Sequence, residues 1–280
     1  LAQSVARAKM AQSIVNLIFF IYLCVNCNHT KVHYFSQTIN RSMKNLHIIT
    51  PVKDSIASTL QTVKAIMSST TDVQFRYTIY NDFSSEHSTA QLEKYSEEYG
   101  FELVNLSDIT DHPSPNYLLV LQMAQQRAIA EGADLLIIES DVVVAPNTIQ
   151  SLVVGAAERP DCGIAASVTV DDNGDINYPY GYAKGHEGEV YVADKHCSFC
   201  CSLLTNALLC KYDFNLLNPE KHWFDVHISH ISRDLGFKNY LFCNLPVIHR
   251  PHSSRPWKQL KYTNPLKYYW RKFVKRFDKI

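Results

Sequence analysis

The stretch Leu135-Leu136-Ile137-Ile138-Glu139-Ser140-Asp141 decides the fold. Four apolar residues in a row, with no polar alternation, predict a strand buried on both faces, as in a parallel sheet covered by helices. The run ends on two carboxylates one residue apart. At a strand end such a pair can face a single divalent cation, which prefers hard oxygen ligands. Alone, an acid-x-acid triplet equally suits a solvated turn.

Working outward, the pattern repeats. Leu46–Thr50 is a short apolar run stopped by Pro51. Ile56, Leu60, Val63 and Met67 follow at i, i+4, i+7 and i+11, one helical face. Val73–Tyr80 alternates as a strand and ends at Asn81-Asp82. Ser85–Tyr99 is a polar helix, Phe101–Leu106 a strand, Asp108–Pro115 a loop and Asn116–Gly132 a helix leading into Leu135. Strand–helix alternation predicts α/β architecture with parallel strands, whose right-handed crossovers gather the strand C-termini on one edge. Pro51, Asn81-Asp82, Glu139 and Asp141 all fall on that edge, where open α/β sheets bind ligands. Further on, Cys162–Val170 reads as a strand and Asp171–Glu189 as a long loop. Val190–Leu209 reads as strand then helix, Phe224–Leu235 as a helix ended by Gly236, and Tyr240–His249 as a last strand.

Composition agrees. Of 280 residues 46% are apolar and 19% charged, with nine Gly and eleven Pro, which excludes a disordered, collagen-like or low-complexity chain. Lys+Arg and Asp+Glu both number 27, which argues against nucleic acid as a partner. The balance is uneven: Pro246–Ile280 holds ten Lys/Arg and one Asp, so a +9 tail follows a −9 body. No linker divides the chain. The expected organisation is an N-terminal helical extension (1–45), one domain (46–250) and a basic, aromatic extension (251–280). The apolar run 14–25 is shorter than a bilayer span and reads as a packed helix, an anchor or a signal-like segment. Eight cysteines include the pairs Cys24/Cys27 and Cys197/Cys200, which read chiefly as buried thiols, with a four-thiolate zinc site or disulfides as rival readings.

Several polar residues read in two ways. Asp82, Ser84 or Ser85 caps the following helix, or a carboxylate there meets a nucleobase or ribose. Asp225 either complements a helix N-terminus or serves as a general base. His249 is either structural or a ligand.

Taken in order, Thr50-Pro51-Val52, Asn81-Asp82-Phe83-Ser84, Glu139-Ser140-Asp141 and Phe224–Phe237 (FDVHISHISRDLGF) resemble the GT-A-fold glycosyltransferases of family 2, over about 46–250. The resemblance implies a GT-A (Rossmann-like), mostly parallel central sheet flanked by helices. It implies an inverting sugar transfer from a nucleotide sugar, with Mn2+ or Mg2+, in envelope polysaccharide or glycolipid synthesis. Asp82 would recognise the nucleoside, with Thr50 and Pro51 shaping the base pocket. Glu139 would bind ribose or support the metal, Asp141 and His249 would hold the metal, and Asp225 would be the catalytic base. A saccharide or lipid-linked acceptor and a cytoplasmic location at the membrane surface, reached through 261–280, are expected; an oligomer is compatible. This sequence departs from the family at Asn81, Glu139, Phe224 and His227. Those altered acids keep a second reading in view, a non-catalytic nucleotide- or sugar-binding protein. A sugar-1-phosphate nucleotidyltransferase would need a Gly-rich, basic loop after the first strand, which TPVKDSIAS lacks.

Overall fold

The computed structural model describes residues 45–251 and 264–275. The predicted 1–45 extension, its apolar run and Cys24/Cys27 lie outside these residues, Asn45 apart. Among the described residues nine strands form one sheet in the order β3-β2-β1-β4-β8-β6-β9-β5, with β7 paired to β9. The strands are β1 (Leu46–Val52), β2 (Phe75–Asn81), β3 (Glu102–Asn105), β4 (Asp134–Ile138), β5 (Val142–Val143), β6 (Cys162–Val170), β7 (Val190–Val192), β8 (Cys201–Leu204) and β9 (Lys238–His249). The helices are α1 (Ile56–Met67), α2 (Glu86–Tyr99), α3 (Tyr117–Ala130), α4 (Thr148–Ala157), α5 (Asn206–Leu209), α6 (Phe224–Asp234) and α7 (Pro265–Lys275). Strands β1 to β4, β6 and β9 point one way, while β5, β7 and β8 run against them. The sheet is therefore mostly parallel, as expected, with antiparallel insertions in its second half.

Alternation along the central strands divides the core into two layers. Leu135 and Ile137 join one apolar cluster with α3 and Phe224 and Ile228 of α6. Leu136 and Ile138 join another with α1, Leu92 of α2, and α4. A strand whose successive side chains meet opposite layers must be apolar throughout, which explains the unbroken LLII run.

Three details differ from the sequence reading. First, β1 continues through Pro51, which stands opposite Tyr80 of β2. Its pairing with β4 has already ended at Ile49, so the missing N–H deprives no ladder partner there. Second, α1 buries Thr59, Thr62, Val63 and Ile66, a face rotated from the one hydropathy picks, and Met67 is exposed. The threonines are compatible with burial because their hydroxyls have acceptors: Thr59 Oγ1 donates to the Ser55 carbonyl (2.7 Å) and Thr62 Oγ1 to that of Val142 (2.8 Å). Third, α4 and β5 occupy a region the periodicity leaves unassigned.

Helix α6 lies unusually close to the sheet. It buries Ser229 and Ser232 beside Phe224 and Ile228. A Cβ on Gly163 of β6 would stand 2.2 Å from Ser232 Oγ and 2.8 Å from Phe237 Cβ. Gly163→Ala must therefore push α6 outward, and overpacking of this kind costs about 1–3 kcal/mol. Urea unfolding should show that loss; an unchanged midpoint would mean that α6 moves without cost.

Candidate active site

The edge formed by the C-terminal ends of β1, β2, β4 and β9 carries the predicted residues. After β4 the chain turns through Glu139-Ser140-Asp141, closed by Val142 N–H donating to the Glu139 carbonyl (3.2 Å). Two neighbours hold this turn. Cys201 of β8 pairs antiparallel with Ile138, and Glu139 N–H donates to the Cys200 carbonyl (3.0 Å). On the other side Val142 pairs with His249, and Arg250 N–H donates to the Asp141 carbonyl (3.0 Å).

The turn, the residue before β8 and the end of β9 thus meet. Cys200 Sγ lies 3.5 Å from Glu139 Oε2 and 3.9 Å from His249 Nε2, and His249 Nε2 lies 3.7 Å from Asp141 Oδ1. One ligand atom from each of Glu139, Cys200 and His249 lies within 4.8 Å of the others. Asp141 adjoins this triad through His249. Sequence reasoning placed Glu139, Asp141 and His249 here, but read Cys200 as a buried thiol or as part of a four-thiolate zinc site with Cys197, Cys24 and Cys27 rather than beside these residues.

The hydrogen bonds of His249 define its role. Nδ1 stands 2.8 Å from the Tyr178 carbonyl, which can only accept, so Nδ1 carries a proton and neutral imidazole turns its Nε2 lone pair toward the carboxylates. Asn177 Nδ2 donates to the His249 carbonyl (2.9 Å). The 171–189 segment therefore supports His249. Ile176, Tyr180 and Ala183 are buried within it, which makes it a packed brace rather than a loose loop. Burial pulls the His249 pKa down, but Asp141, the Tyr178 carbonyl and Glu139 together outweigh it and raise the net value. Burial, followed by the charge of Glu139, pushes the Cys200 thiol well above its ordinary value.

Asp82 lies at the end of β2, buried, with both oxygens engaged. Oδ2 accepts from Ser114 Oγ (2.7 Å) and Asn116 N–H (2.9 Å), and Oδ1 accepts from Asn116 Nδ2 (2.8 Å). Thr50 is buried, and its Oγ1 accepts from the Tyr77 hydroxyl (3.0 Å), so its side chain is committed to the interior of the protein. Ser85 caps α2, its Oγ accepting from Ser88 N–H (3.3 Å). Lys53, which the sequence reading did not single out, donates to the Phe83 carbonyl (2.8 Å) and stitches β1 to this loop.

Asp225 sits in the first turn of α6, half-buried and outside the apolar core. Its helix is tied to the turn-forming segment leading to Cys200. Cys197 N–H donates to Ser229 Oγ (3.0 Å), and Ser198 exchanges hydrogen bonds with the Tyr180 hydroxyl (2.8 and 3.2 Å). The segment 197–200 thus links α6 with the carboxylate–imidazole cluster.

No protein-family model and no curated protein matches the sequence. Solved structures do match in shape. A mannosyltransferase, PcManGT from Pyrobaculum calidifontis, in complex with GDP-Man and Mn2+, superposes with a TM-score of 0.58 at 11% identity, covering 81% of this chain and 64% of its own. GalNAc-T7 with UDP, GalNAc and Mn2+ gives 0.57 at 13% identity, covering 75% of this chain and 44% of its own. S. aureus TarS in complex with UDP-GlcNAc gives 0.54 at 15% identity, covering 75% and 60%. The chain has the GT-A glycosyltransferase fold. It spans less than two-thirds of the length of each of these three proteins.

The donor set at the centre of this GT-A sheet fits a divalent cation. One carboxylate, one sulfur and one imidazole come within 4.8 Å of one another, Asp141 adjoins the imidazole at 3.7 Å, and the carbonyl behind His249 orients the ring. In an imidazole-nitrogen NMR titration without metal, the His249 midpoint should lie above the ordinary imidazole value and fall in Asp141→Asn, because the charge that favours imidazolium is removed. An unmoved midpoint in that variant would separate Asp141 from the cluster.

Proposed function

We propose that the protein transfers a sugar from a nucleoside-diphosphate sugar to an acceptor hydroxyl, with inversion at the anomeric carbon. One observation carries this reading: Glu139, Asp141 and His249 converge beside the β1/β4 switch point of a GT-A sheet. Nucleotide sugars or nucleotides with Mn2+ occupy two of the similar structures, which supports the same class of donor here.

In this reading Thr50 and Pro51 border the base pocket. Asp82 binds the nucleoside; its carboxylate offers about four acceptor positions and three are taken within the protein. Asp141 and His249, with Glu139, hold a divalent cation. That cation, when bound, supplies Lewis-acid stabilisation of the departing diphosphate. Asp225 accepts the acceptor's hydroxyl proton as the new glycosidic bond forms and the bond from anomeric carbon to phosphate oxygen breaks. A single displacement of this kind inverts configuration. Half-exposure suits Asp225 to this role, since the acceptor must reach it from solvent.

Asp225→Asn should lower transfer about a hundredfold or more. Binding of UDP or GDP with Mn2+, followed by calorimetry, should persist. A variant with near-normal turnover would remove Asp225 as base. If the wild type also binds no nucleotide with Mn2+, the transferase reading itself falls.

We further propose that the acceptor is lipid-linked or a surface saccharide, reached from the membrane face in envelope polysaccharide or glycolipid synthesis. Support comes from α7, whose Leu266, Tyr269, Trp270, Phe273 and Val274 are exposed and spaced i, i+3, i+4, i+7, i+8. Lys267, Arg271 and Lys275 follow at i, i+4, i+8 in sequence. An apolar stripe beside a basic one suits an anionic leaflet. No described helix is long and apolar enough to cross a membrane. Removing 261–280 should abolish co-sedimentation with anionic vesicles at low salt; unchanged sedimentation would count against a surface role for α7.

A further inference from the structure

The cluster around His249 contains one group that the transferase reading leaves unused. Cys200 is buried, and its sulfur faces Glu139 and His249. Cys197 packs into one apolar layer and Cys200 and Cys201 border the other, but of the three only the Cys200 sulfur, 3.4 Å from Ser198 Oγ, also reaches the carboxylate and imidazole. Among the described residues, the grouping of possible ligands contains Cys200 and no other cysteine.

We infer that Cys200 is a ligand of the cation, that Glu139, Cys200 and His249 bind it directly while Asp141, placed on it above, acts instead from beside His249 (3.7 Å), and that the centre takes a thiophilic ion such as Zn2+ or Co2+ in preference to Mg2+. This inference rests on the cation role proposed above.

Three arguments support it. The first is spacing. With metal–sulfur bonds of about 2.3 Å and metal–nitrogen or metal–oxygen bonds of about 2.0–2.1 Å, the edges of a tetrahedron come to about 3.4–3.6 Å. Sulfur to Glu139 is 3.5 Å and sulfur to His249 Nε2 is 3.9 Å, so the two sulfur edges need at most a few tenths of an ångström of contraction, and the Glu139–His249 edge lies within 4.8 Å. The second is donor chemistry. Mg2+ favours oxygen ligands and retained water, whereas a sulfur, an imidazole and a carboxylate suit softer ions. The third is ligand number. Three protein ligands with an open position is the pattern of zinc sites that also bind substrate, and here a diphosphate oxygen can take that position.

Coordination converts the Cys200 thiol to thiolate, and its proton passes to solvent. The positive charge of the ion offsets the burial and the Glu139 charge that keep the sulfur protonated in its absence.

The test uses the full-length protein and CoCl2 as probe. Titration of the wild type should produce a thiolate-to-cobalt charge-transfer band in the near ultraviolet, with visible d–d absorption of tetrahedral intensity. Cys200→Ser should lose the charge-transfer band while its circular dichroism stays native, and excess Zn2+ but not Mg2+ should bleach the wild-type spectrum. A charge-transfer band that persists in Cys200→Ser, carried by another cysteine, would overturn the assignment. Calorimetric Co2+ binding without the band in the wild type would do the same. Parallel calorimetry with UDP and Mn2+ separates the two readings. Nucleotide binding without a cobalt–thiolate band leaves the donor site standing and removes Cys200. A Cys200-dependent band without nucleotide binding keeps the thiolate site and removes the donor role. Absence of both overturns both.

Discussion

The candidate site depends on strand register. Strand β4 pairs with β8 up to Ile138, turns through 139–141, and re-enters the sheet as β5 against the end of β9. Shifting either pairing by one residue would turn its side chains to the opposite face. His249 or Cys200 would then leave the carboxylates. Leu135 and Ile137 face one apolar layer and Leu136 and Ile138 the other, so the run alone would tolerate a slip. Its ends do not: a one-residue shift carries Asp134 or Glu139 into a place among the apolar partners, where a carboxylate is costly to bury, so the flanking acids fix the register and with it the donor set.

Strand β9 reaches the site through an interruption. Phe242 stands opposite Ser167 and Val247 opposite Thr169, so β9 spends five steps where β6 spends two. Pro246 falls inside this excursion and has no N–H for the ladder. Cys243 and Asn244 instead donate to the Glu189 carbonyl (2.8 and 3.2 Å). The strand then resumes for Val247, Ile248 and His249. Irregularities of this type re-aim side chains near active sites. Here the resumed end meets Asn177 and Tyr178, which fix the ring of His249. The Arg250–Asp172 ion pair, at 2.6 Å, closes the same brace from the exposed side.

What could be read from the sequence follows from whether the signal is local. The LLII run, the carboxylates after it and the long strand ending at His249 are local patterns, and the structure places them as read. Helix faces were less legible, because α1 and α6 turn threonines and serines toward the sheet. Hydropathy scores a hydroxyl as polar, yet Thr59, Thr62 and Ser229 donate to nearby carbonyls and are buried, while Ser232 is buried beside Gly163 without such a bond. The place of Cys200 was missed for a different reason. It depends on β8 inserting antiparallel beside β4, a pairing of residues more than sixty positions apart that no periodicity encodes. The flanking Cys197 and Cys201 deepened the ambiguity, since each is a buried packing residue.

The departures from the family motif bear on whether the site is working or decayed. Asn81, in place of an acid, donates to Thr89 Oγ1 and Asn105 Oδ1 (both 2.9 Å) and accepts from Ser84 N–H, holding the end of β2. Phe224, also in place of an acid, is buried with its ring 6.4 Å from that of Tyr117, anchoring the start of α6. His227 lies 6.4 Å from the Tyr212 ring, and burial, then the charge of His230, lowers its pKa below the ordinary imidazole value. Each replacement has acquired a packing or hydrogen-bonding task. The carboxylates that the proposed chemistry would use, Asp82, Glu139, Asp141 and Asp225, stand at the strand ends and the helix start. Drift in an abandoned site would strike both groups alike, because a buried carboxylate without a function is costly to retain. Retained acids at the strand ends fit any ligand-binding site. Asp225 is what separates the proposed transferase from a module that only binds: it lies outside the apolar core, half-buried at the start of α6, where packing does not require an acid.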